Sequence, residues 1–175
     1  MRLFLAVDVP EDVRQRISYM QERLAEIPGV NIVKPDHVTL KFIGETAQKF
    51  SDIAEKLAHI LDDFYPFAAE AVGMGTFPAT HPKVVWVGCP ALAPLQKAIM
   101  EGFGDSAEAT PHITVARVKD GRGKEHLVKH VNQMKEYSYG RIDIDNIKIK
   151  SSVLTTTGPT YSDVATVQLN FTKSS

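Results

Sequence analysis

Two four-residue segments of the sequence share one pattern, a histidine followed two residues later by a threonine, with apolar residues between and after them. The segments are HVTL at 37–40 and HITV at 112–115, and their histidines lie 75 residues apart. A pair that also has apolar residues at all four remaining positions arises in only about 0.2% of random shuffles. The duplication is therefore a real feature, and it predicts two similar units within one chain.

The elements predicted around the two motifs follow a similar order, because a strand that begins with histidine has an amphipathic helix before and after it. Strands are expected at 2–9, 37–43 (stopped by Gly44), 67–77, 84–89, 112–118, 141–149 and 164–171. Helices are expected after Pro10 and over 53–64, 92–103 and 124–134. We therefore expect an α+β fold in which residues 1–175 form a single domain. It has two pseudo-symmetric lobes, each an antiparallel sheet backed by helices, around a central groove.

The net charge of −1 and the pI near 6.6 exclude a bulk polycation of the histone type. The total conceals an asymmetry, because residues 1–75 carry a balance of −4 and residues 76–175 a balance of +3. Six of the basic residues lie between Arg117 and Lys135. This cluster is either a solvated loop and helix face or a rim that attracts anions.

The single cysteine, Cys89, excludes an internal disulfide and a four-cysteine zinc site. The early apolar run at 3–9 is interrupted by Asp8, unlike a signal peptide, and no run approaches the roughly 18 apolar residues of a membrane span. His126 and His130 lie four residues apart without an apparent third metal ligand, so we expect both on a solvated helix face. These features predict a cytoplasmic protein with no membrane contact and no bound metal, and we expect a monomer, although no sequence feature determines the oligomeric state.

Residues i and i+2 share a face of a strand, so each motif places an imidazole beside a hydroxyl. Imidazole has an unperturbed pKa of about 6.5, so near neutral pH one ring can be neutral while the other is protonated. The neutral ring can accept a proton from water while the charged ring donates one to a departing oxygen, which suits phosphodiester cleavage. The candidate catalytic residues are therefore His37 and His112. The alternative is that both are structural strand residues.

The two motifs and their flanking segments resemble the RNA 2′,3′-cyclic phosphodiesterases, also called 2′-5′ RNA ligases, of the two-histidine phosphoesterase superfamily. The matching stretches span nearly the whole chain in the family's order: RLFLAVDVP at 2–10, HVTLKFIGE at 37–45, KVVWVG at 83–88, PHITVARV at 111–118 and SSVLTTTGPTY at 151–161. The resemblance implies hydrolysis of an RNA 2′,3′-cyclic phosphate end, tRNA fragments included, to a 2′-phosphomonoester. It also implies reversible 2′-5′ ligation by the same groups, and no metal or nucleotide cofactor.

The family pattern assigns a role to five residues. It implies that His37 is the proton donor and His112 the proton acceptor, and that Thr39 and Thr114 bind the phosphate. Arg117 matches the family's phosphate-holding basic residue, but strict alternation places it on the opposite face from His112. A β-bulge, or the end of the strand, has to turn it back.

Three further points stay open at the level of sequence. Trp86 is assigned to core packing, with base stacking as the alternative, and Tyr161 to hairpin packing rather than substrate contact. The segment at 31–36 lacks the tryptophan often found there in the family. Two other functions remain: a two-histidine enzyme that acts on a small cyclic nucleotide phosphate, and an RNA-end-binding protein whose hydrolysis is incidental.

Overall fold

The computed structural model describes residues 1–106 and 108–172, which form nine β-strands, four α-helices and a short 3₁₀ helix at Pro90–Leu92. The strands are β1 (Arg2–Asp8), β2 (Val30–Ile32), β3 (His37–Glu45), β4 (Phe67–Phe77), β5 (Val84–Gly88), β6 (His112–Val118), β7 (Ser138–Ile144), β8 (Asn146–Thr155) and β9 (Gly158–Gln168). The helices are α1 (Glu11–Ala25), α2 (Phe50–Leu61), α3 (Ala93–Gly102) and α4 (Lys124–Gln133). The predicted α+β class is confirmed. Each described helix is too short or too polar to cross a lipid bilayer.

The strands form one antiparallel sheet in the order β7-β4-β5-β6-β3-β1-β8-β9. The two strands that carry the histidine motifs, β3 and β6, lie side by side at its centre. Within the described residues they share a single pair, Val38 with Ile113, and β2 then takes the place of β3 along the second half of β6. The sheet therefore divides into two lobes that separate at the motifs, and a groove opens between them.

Each lobe is backed by two helices, but the lobes do not coincide with the halves of the sequence. Helices α2 and α3 pack against β9 and β3 in the first lobe, whereas α1 and α4 pack against the β6-β4-β7 side in the second. The first helix of the chain thus supports the second lobe. Strands β8 and β9, from the end of the chain, complete the first lobe beside β1. This interleaving joins the two lobes into one body.

Alternation along the central strands sorts their side chains between a helix-covered core and the groove. Leu5 on β1, Val38 on β3 and Ile113 on β6 are fully buried in a single apolar cluster with the helices. In α1 the residues at spacings of three and four, Val13 and Ile17 among them, complete this cluster. The motif histidines and threonines lie on the other face and are partly exposed. The burial pattern therefore directs the polar members of both motifs into the groove.

Several element boundaries differ from the predicted ones. The segment expected as one strand at 141–149 is two strands, β7 and β8, at opposite parts of the sheet, because the apolar alternation changes phase at Asp145-Asn146. Strand β3 continues past Gly44, which adopts a φ of 83°, and the predicted turn at Gly158-Pro159 is already the start of β9. The short strand β2 was not predicted, since three residues carry no recognisable period.

Candidate active site

The groove between the lobes holds a cavity of about 580 Å³, and all five predicted site residues line it: His37, Thr39, His112, Thr114 and Arg117. The two histidines begin β3 and β6, and the antiparallel pair at Val38 and Ile113 directs each histidine toward the threonine of the other strand. Residues 75 positions apart in the sequence thus meet in one groove.

A β-bulge in β6 explains how Arg117 reaches this groove. Val85 pairs with Ala116 but the next residue, Trp86, pairs with Thr114, so Val115 is an extra residue on β6. The extra residue reverses the alternation beyond it, and Arg117 lies on the same side as His112. The structure therefore contains the bulge that strict alternation required.

The same irregularity occurs at the equivalent position of β3. Leu5 pairs with Lys41 and Ala6 with Thr39, so Leu40 is the extra residue there. The bulge turns Phe42 into the groove. Phe42 lies five positions after His37, and Arg117 likewise lies five positions after His112. Phe42 is 69% exposed. The two lobes thus present an aromatic ring and a guanidinium at matching sites, a relation that aligning the two motifs would have revealed.

His112 is oriented by the backbone and by two aromatic rings. Its Nδ1 lies 2.7 Å from the carbonyl oxygen of Thr110, so Nδ1 carries a proton and donates it to that carbonyl. Its ring centroid lies 5.0 Å from that of Phe77 and 6.2 Å from that of Trp86. This bond leaves the lone pair of a neutral ring on Nε2, which is the form a proton acceptor needs.

His37 has a different environment. Its ring packs between Phe4 and Tyr161, with centroids 5.1 and 5.2 Å away, and the described residues provide no side-chain hydrogen bond to it. Burial lowers the pKa of His37 below its ordinary value, and the positive charge of Lys150 lowers it further, against the opposing effects of Asp36 and Asp8. His37 is therefore harder to protonate in the free protein than an exposed histidine.

The charge beside His37 belongs to a small ion cluster whose members lie far apart in the sequence and share no motif. Lys150 Nζ lies 2.8 Å from Asp8 Oδ1 and 2.6 Å from Asp163 Oδ1, and only 11% of the lysine side chain is exposed. Burial opposes protonation of Lys150, but its bonds to the two carboxylates outweigh this and raise its pKa. The cluster joins β1, β8 and β9 next to the aromatic rings that hold His37.

Four cationic side chains surround the cavity: Arg2, Lys34, Lys41 and Arg117. Lys41 is paired with Asp105 and Lys34 with Asp36, whereas Arg2 and Arg117 have no ion pair within the described residues. The rest of the basic cluster that follows Arg117 is exposed on the α4 side, away from the cavity. That cluster is a solvated face, and of its members only Arg117 contributes to the groove.

Three further sequence interpretations can be compared with the structure. Trp86 is not in the core: it pairs with Thr114 on the outer face of the sheet and lies across Gly75, where a Cβ would be 2.2 Å from its ring. Tyr161 belongs to the hairpin but also lines the cavity. His126 is exposed as expected, whereas the expectation for His130 is wrong: it is buried at 9% exposure because it lies on the buried face of α4. The described residues contain no group of three side chains suited to a metal.

Two lobes that meet at paired His-x-Thr strands define a two-histidine phosphoesterase fold, and comparison with known proteins gives the family. The model of the 2′-5′ RNA ligase superfamily matches residues 9–149, and the chain belongs to this superfamily. The resemblance found in the sequence is thereby confirmed.

Similar proteins cover the chain almost completely. A protein of Archaeoglobus fulgidus named RNA 2′,3′-cyclic phosphodiesterase is 34% identical over 94% of this chain and 98% of its own. A protein of the same name from Methanocaldococcus jannaschii is 33% identical over 92% and 96%. Among solved structures, TT0787 of Thermus thermophilus superposes with a TM-score of 0.79 at 25% identity, covering 97% of this chain and 98% of that one. E. coli LigT shares the fold, with a TM-score of 0.70 at 20% identity over 96% of both chains.

Proposed function

We propose that this protein hydrolyses the 2′,3′-cyclic phosphate at an RNA end to a 2′-phosphomonoester. The observation that carries the proposal is the meeting of two His-Thr pairs from adjacent strands in one groove, with an unpaired arginine beside them. The name shared by relatives about one third identical over nearly the whole chain supports the same reaction. The substrate is thus an RNA strand with a cyclic phosphate end, tRNA fragments included.

In the proposed mechanism the two imidazoles move one proton each. His112 accepts a proton from a water molecule through Nε2, and the water oxygen forms a bond to phosphorus. The P–O3′ bond breaks on the opposite side, and His37 donates its proton to the departing O3′. The product carries a 2′-phosphate and a 3′-hydroxyl. The two histidines belong to adjacent strands of different lobes and line the same cavity, which suits an in-line displacement between them.

The neighbouring polar groups stabilise the charge that develops on the phosphate. Thr39 and Thr114 donate hydrogen bonds from their hydroxyls to the non-bridging oxygens, and the guanidinium of Arg117 binds the same oxygens. The pKa of His37 is lowered in the free protein, and binding of the anionic substrate raises it again, because a negative charge in the groove favours the imidazolium. Substrate binding thereby prepares the proton donor.

The same groups can catalyse ligation when an RNA 5′-hydroxyl occupies the place of water, since His112 would accept its proton and a 2′-5′ linkage would form. The description of the superfamily to which the chain belongs, 2′-5′ RNA ligase, names this reaction.

We propose that the two lobes act as a single domain, because the groove needs residues from both. The one cysteine, Cys89, buried and unpaired, supports a reducing, cytoplasmic location.

The test uses an oligoribonucleotide with a 2′,3′-cyclic phosphate end, incubated with the protein in EDTA, and identifies the phosphate formed. We expect a 2′-phosphate from the wild type, and a loss of about 10²- to 10⁴-fold in rate for His37→Ala and for His112→Ala. The matched controls are His59→Ala and His126→Ala, two exposed histidines on helices, which should retain full activity.

Each other outcome contradicts a specific part of the proposal. A wild type without turnover contradicts the enzyme reaction, and tight binding of the RNA end by the inactive variants then favours a binding protein. A 3′-phosphate product contradicts the proposed bond cleavage. Turnover of a mononucleotide 2′,3′-cyclic phosphate that exceeds turnover of the oligonucleotide favours the small cyclic nucleotide as substrate.

A further inference from the structure

An in-line displacement at a cyclic phosphate has two chemically different sides. The nucleophile approaches from one side, and the departing oxygen, which remains attached to the terminal ribose, leaves on the other. The ribose and its base must therefore lie on the side of the proton donor. In the proposed function the donor is His37, and the inference below depends on that function.

The walls of the groove differ on the two sides. Three large apolar side chains of the first lobe line the cavity and are strongly exposed: Phe42 at 69%, Leu154 at 73% and Tyr161, which packs on the ring of His37, at 45%. The buried ring of Phe4 lies beneath them, with centroids 6.1 Å from Phe42 and 5.3 Å from Tyr161. We call the three exposed side chains the apolar shelf.

The side of His112 also has two aromatic rings, but both are less exposed than the side chains of the apolar shelf. The aromatic neighbours of this histidine, Phe77 and Trp86, contact its ring but do not line the cavity. The lining nearest to Arg117 on that side is Val33 and the cation Lys34. This wall suits water or a polar hydroxyl and a phosphate, whereas the apolar shelf suits a flat, partly apolar group.

Local strand geometry holds the apolar shelf in place. The bulge at Leu40 turns Phe42 into the groove, and alternation in β8 directs Leu154 to the same side as Ser152 while its neighbour Val153 points away. Tyr161 pairs with Ser152 on the adjacent strand and packs on the ring of His37. Exposed apolar side chains grouped beside a polar groove are typical of a ligand surface.

We propose that the apolar shelf binds the nucleobase of the 3′-terminal nucleotide, so that Phe42, Leu154 and Tyr161 position the scissile phosphate between the two histidines. The base stacks on the ring of Phe42, and Tyr161 and Leu154 contact the ribose and the edge of the base. Every base has a π-face, so the shelf recognises a nucleobase without selecting one of the four strongly. These are positioning residues, since they touch the nucleoside and not the reacting atoms.

The test compares two oligoribonucleotides that end in a 2′,3′-cyclic phosphate, one with adenine on the terminal ribose and one with an abasic terminal ribose. For the wild type, removal of the base should lower kcat/KM about 5- to 150-fold, the value of one stacked base. In Phe42→Ala, removal of the base should lower kcat/KM by a several-fold smaller factor than in the wild type. In Phe42→Trp, which keeps an aromatic ring, the effect of removing the base should return to the wild-type size. The matched control is Val153→Ala. Val153 is an exposed apolar residue on the hairpin of β8 and β9, beside Leu154, and it faces away from the groove.

The outcomes separate this inference from the proposed function. If the wild type cleaves the cyclic end but base removal has equal effects in the wild type, Phe42→Ala and Leu154→Ala, the apolar shelf does not bind the base and the reaction still stands. If removal of the base lowers kcat/KM in Phe42→Ala as in the wild type but no longer does so in Val33→Ala, the nucleoside lies on the side of His112 and the inference is wrong. If the wild type cleaves neither oligonucleotide, the proposed function fails first. Far-UV circular dichroism of each variant verifies folding, which these exposed side chains should not affect.

Discussion

The two lobes carry the same motif on equivalent strands, yet they surround their histidines differently. In the second lobe a backbone carbonyl, that of Thr110, fixes the proton of His112 on Nδ1. In the first lobe His37 has ring contacts in place of such a bond, and burial, together with the nearby charge of Lys150, lowers its pKa. A neutral ring with a fixed tautomer suits a proton acceptor.

The difference shows that the roles of duplicated residues are set by what lies around them. In the proposed mechanism His37 is the donor, and because burial and Lys150 outweigh the effect of Asp36 and Asp8 on its pKa, its protonation depends on the negative charge of the substrate. The residue five positions after each histidine differs in the same way, with Phe42 beside the donor and Arg117 beside the acceptor. Under the proposed function and the proposed base site, one lobe binds the nucleoside and the other binds the phosphate and the nucleophile.

The largest effect among tests of this comparison is expected at Arg117. Arg117→Ala should lower kcat/KM about 10- to 100-fold, because a charge-assisted bond to the phosphate is lost. Arg117→Lys should recover part of this loss, since the charge remains without the bidentate geometry. The control is Arg122→Ala, which removes an exposed arginine of the same basic cluster that is paired with Asp120. Equal activity in Arg117→Ala and wild type would contradict the phosphate role.

A smaller effect is expected from the ion cluster beside His37. Lys150→Met should raise the pKa of His37, because a positive charge that opposes its protonation is removed. The variant leaves Asp8 and Asp163 unpaired, but both are about half exposed, so the free energy of unfolding should fall by only about 1–2 kcal/mol. The control is Lys148→Met, on the same strand, whose side chain bonds to Thr166.

The measurement is the titration of the His37 ring by NMR in both variants. Because the folded-state pKa of His37 lies below 6.5, the unfolded chain binds this proton first on acidification. This contribution to the free energy of unfolding is therefore present at higher pH and is lost as the pH falls through the region just below 6.5. Lys150→Met should reduce that loss. An unchanged His37 titration would show that the cluster does not act on it.

The smallest effect is expected at Arg2, a cation without an ion pair in the described part of the chain, on the same face of β1 as Phe4. If the RNA chain continues past the apolar shelf, Arg2→Ala should lower kcat/KM for an oligonucleotide about 2- to 5-fold and reduce its salt dependence. A mononucleotide substrate should be unaffected. The control is Arg141→Ala, an exposed arginine paired with Asp143 outside the groove. If Arg2→Ala lowers kcat/KM equally for the oligonucleotide and the mononucleotide, Arg2 does not bind the phosphate that precedes the terminal nucleotide.

Much of this arrangement follows from short-range sequence patterns. The alternation around His37 and His112 predicts two strands with their polar residues on one face, and the periodicity of α1 predicts its buried side. Both patterns are local, because each is set by a short stretch of consecutive residues. The recurrence of the motif then predicts a groove shared by two lobes, and the superfamily match confirms the family.

The remaining features depend on contacts between distant segments, which one sequence does not encode in a readable way. The change of phase at Asp145-Asn146 is visible in the sequence, but the placement of β7 and β8 at opposite parts of the sheet is set by their pairing with distant strands. The bulges at Leu40 and Val115 are visible only against their partner strands, and they decide where Phe42 and Arg117 point. Likewise, the approach of Lys150 to Asp8 joins the two ends of the chain.

The central claim is that His37 donates a proton to the departing oxygen while His112 accepts one from the nucleophile. It can be tested with an RNA 2′,3′-cyclic phosphorothiolate in which sulfur replaces the bridging O3′, because a thiolate departs without needing a proton. On this substrate His37→Ala should approach wild-type activity to within about tenfold, whereas His112→Ala should retain its loss of about 10²- to 10⁴-fold. Recovery of His112→Ala in place of His37→Ala, or recovery of neither, would contradict the assignment.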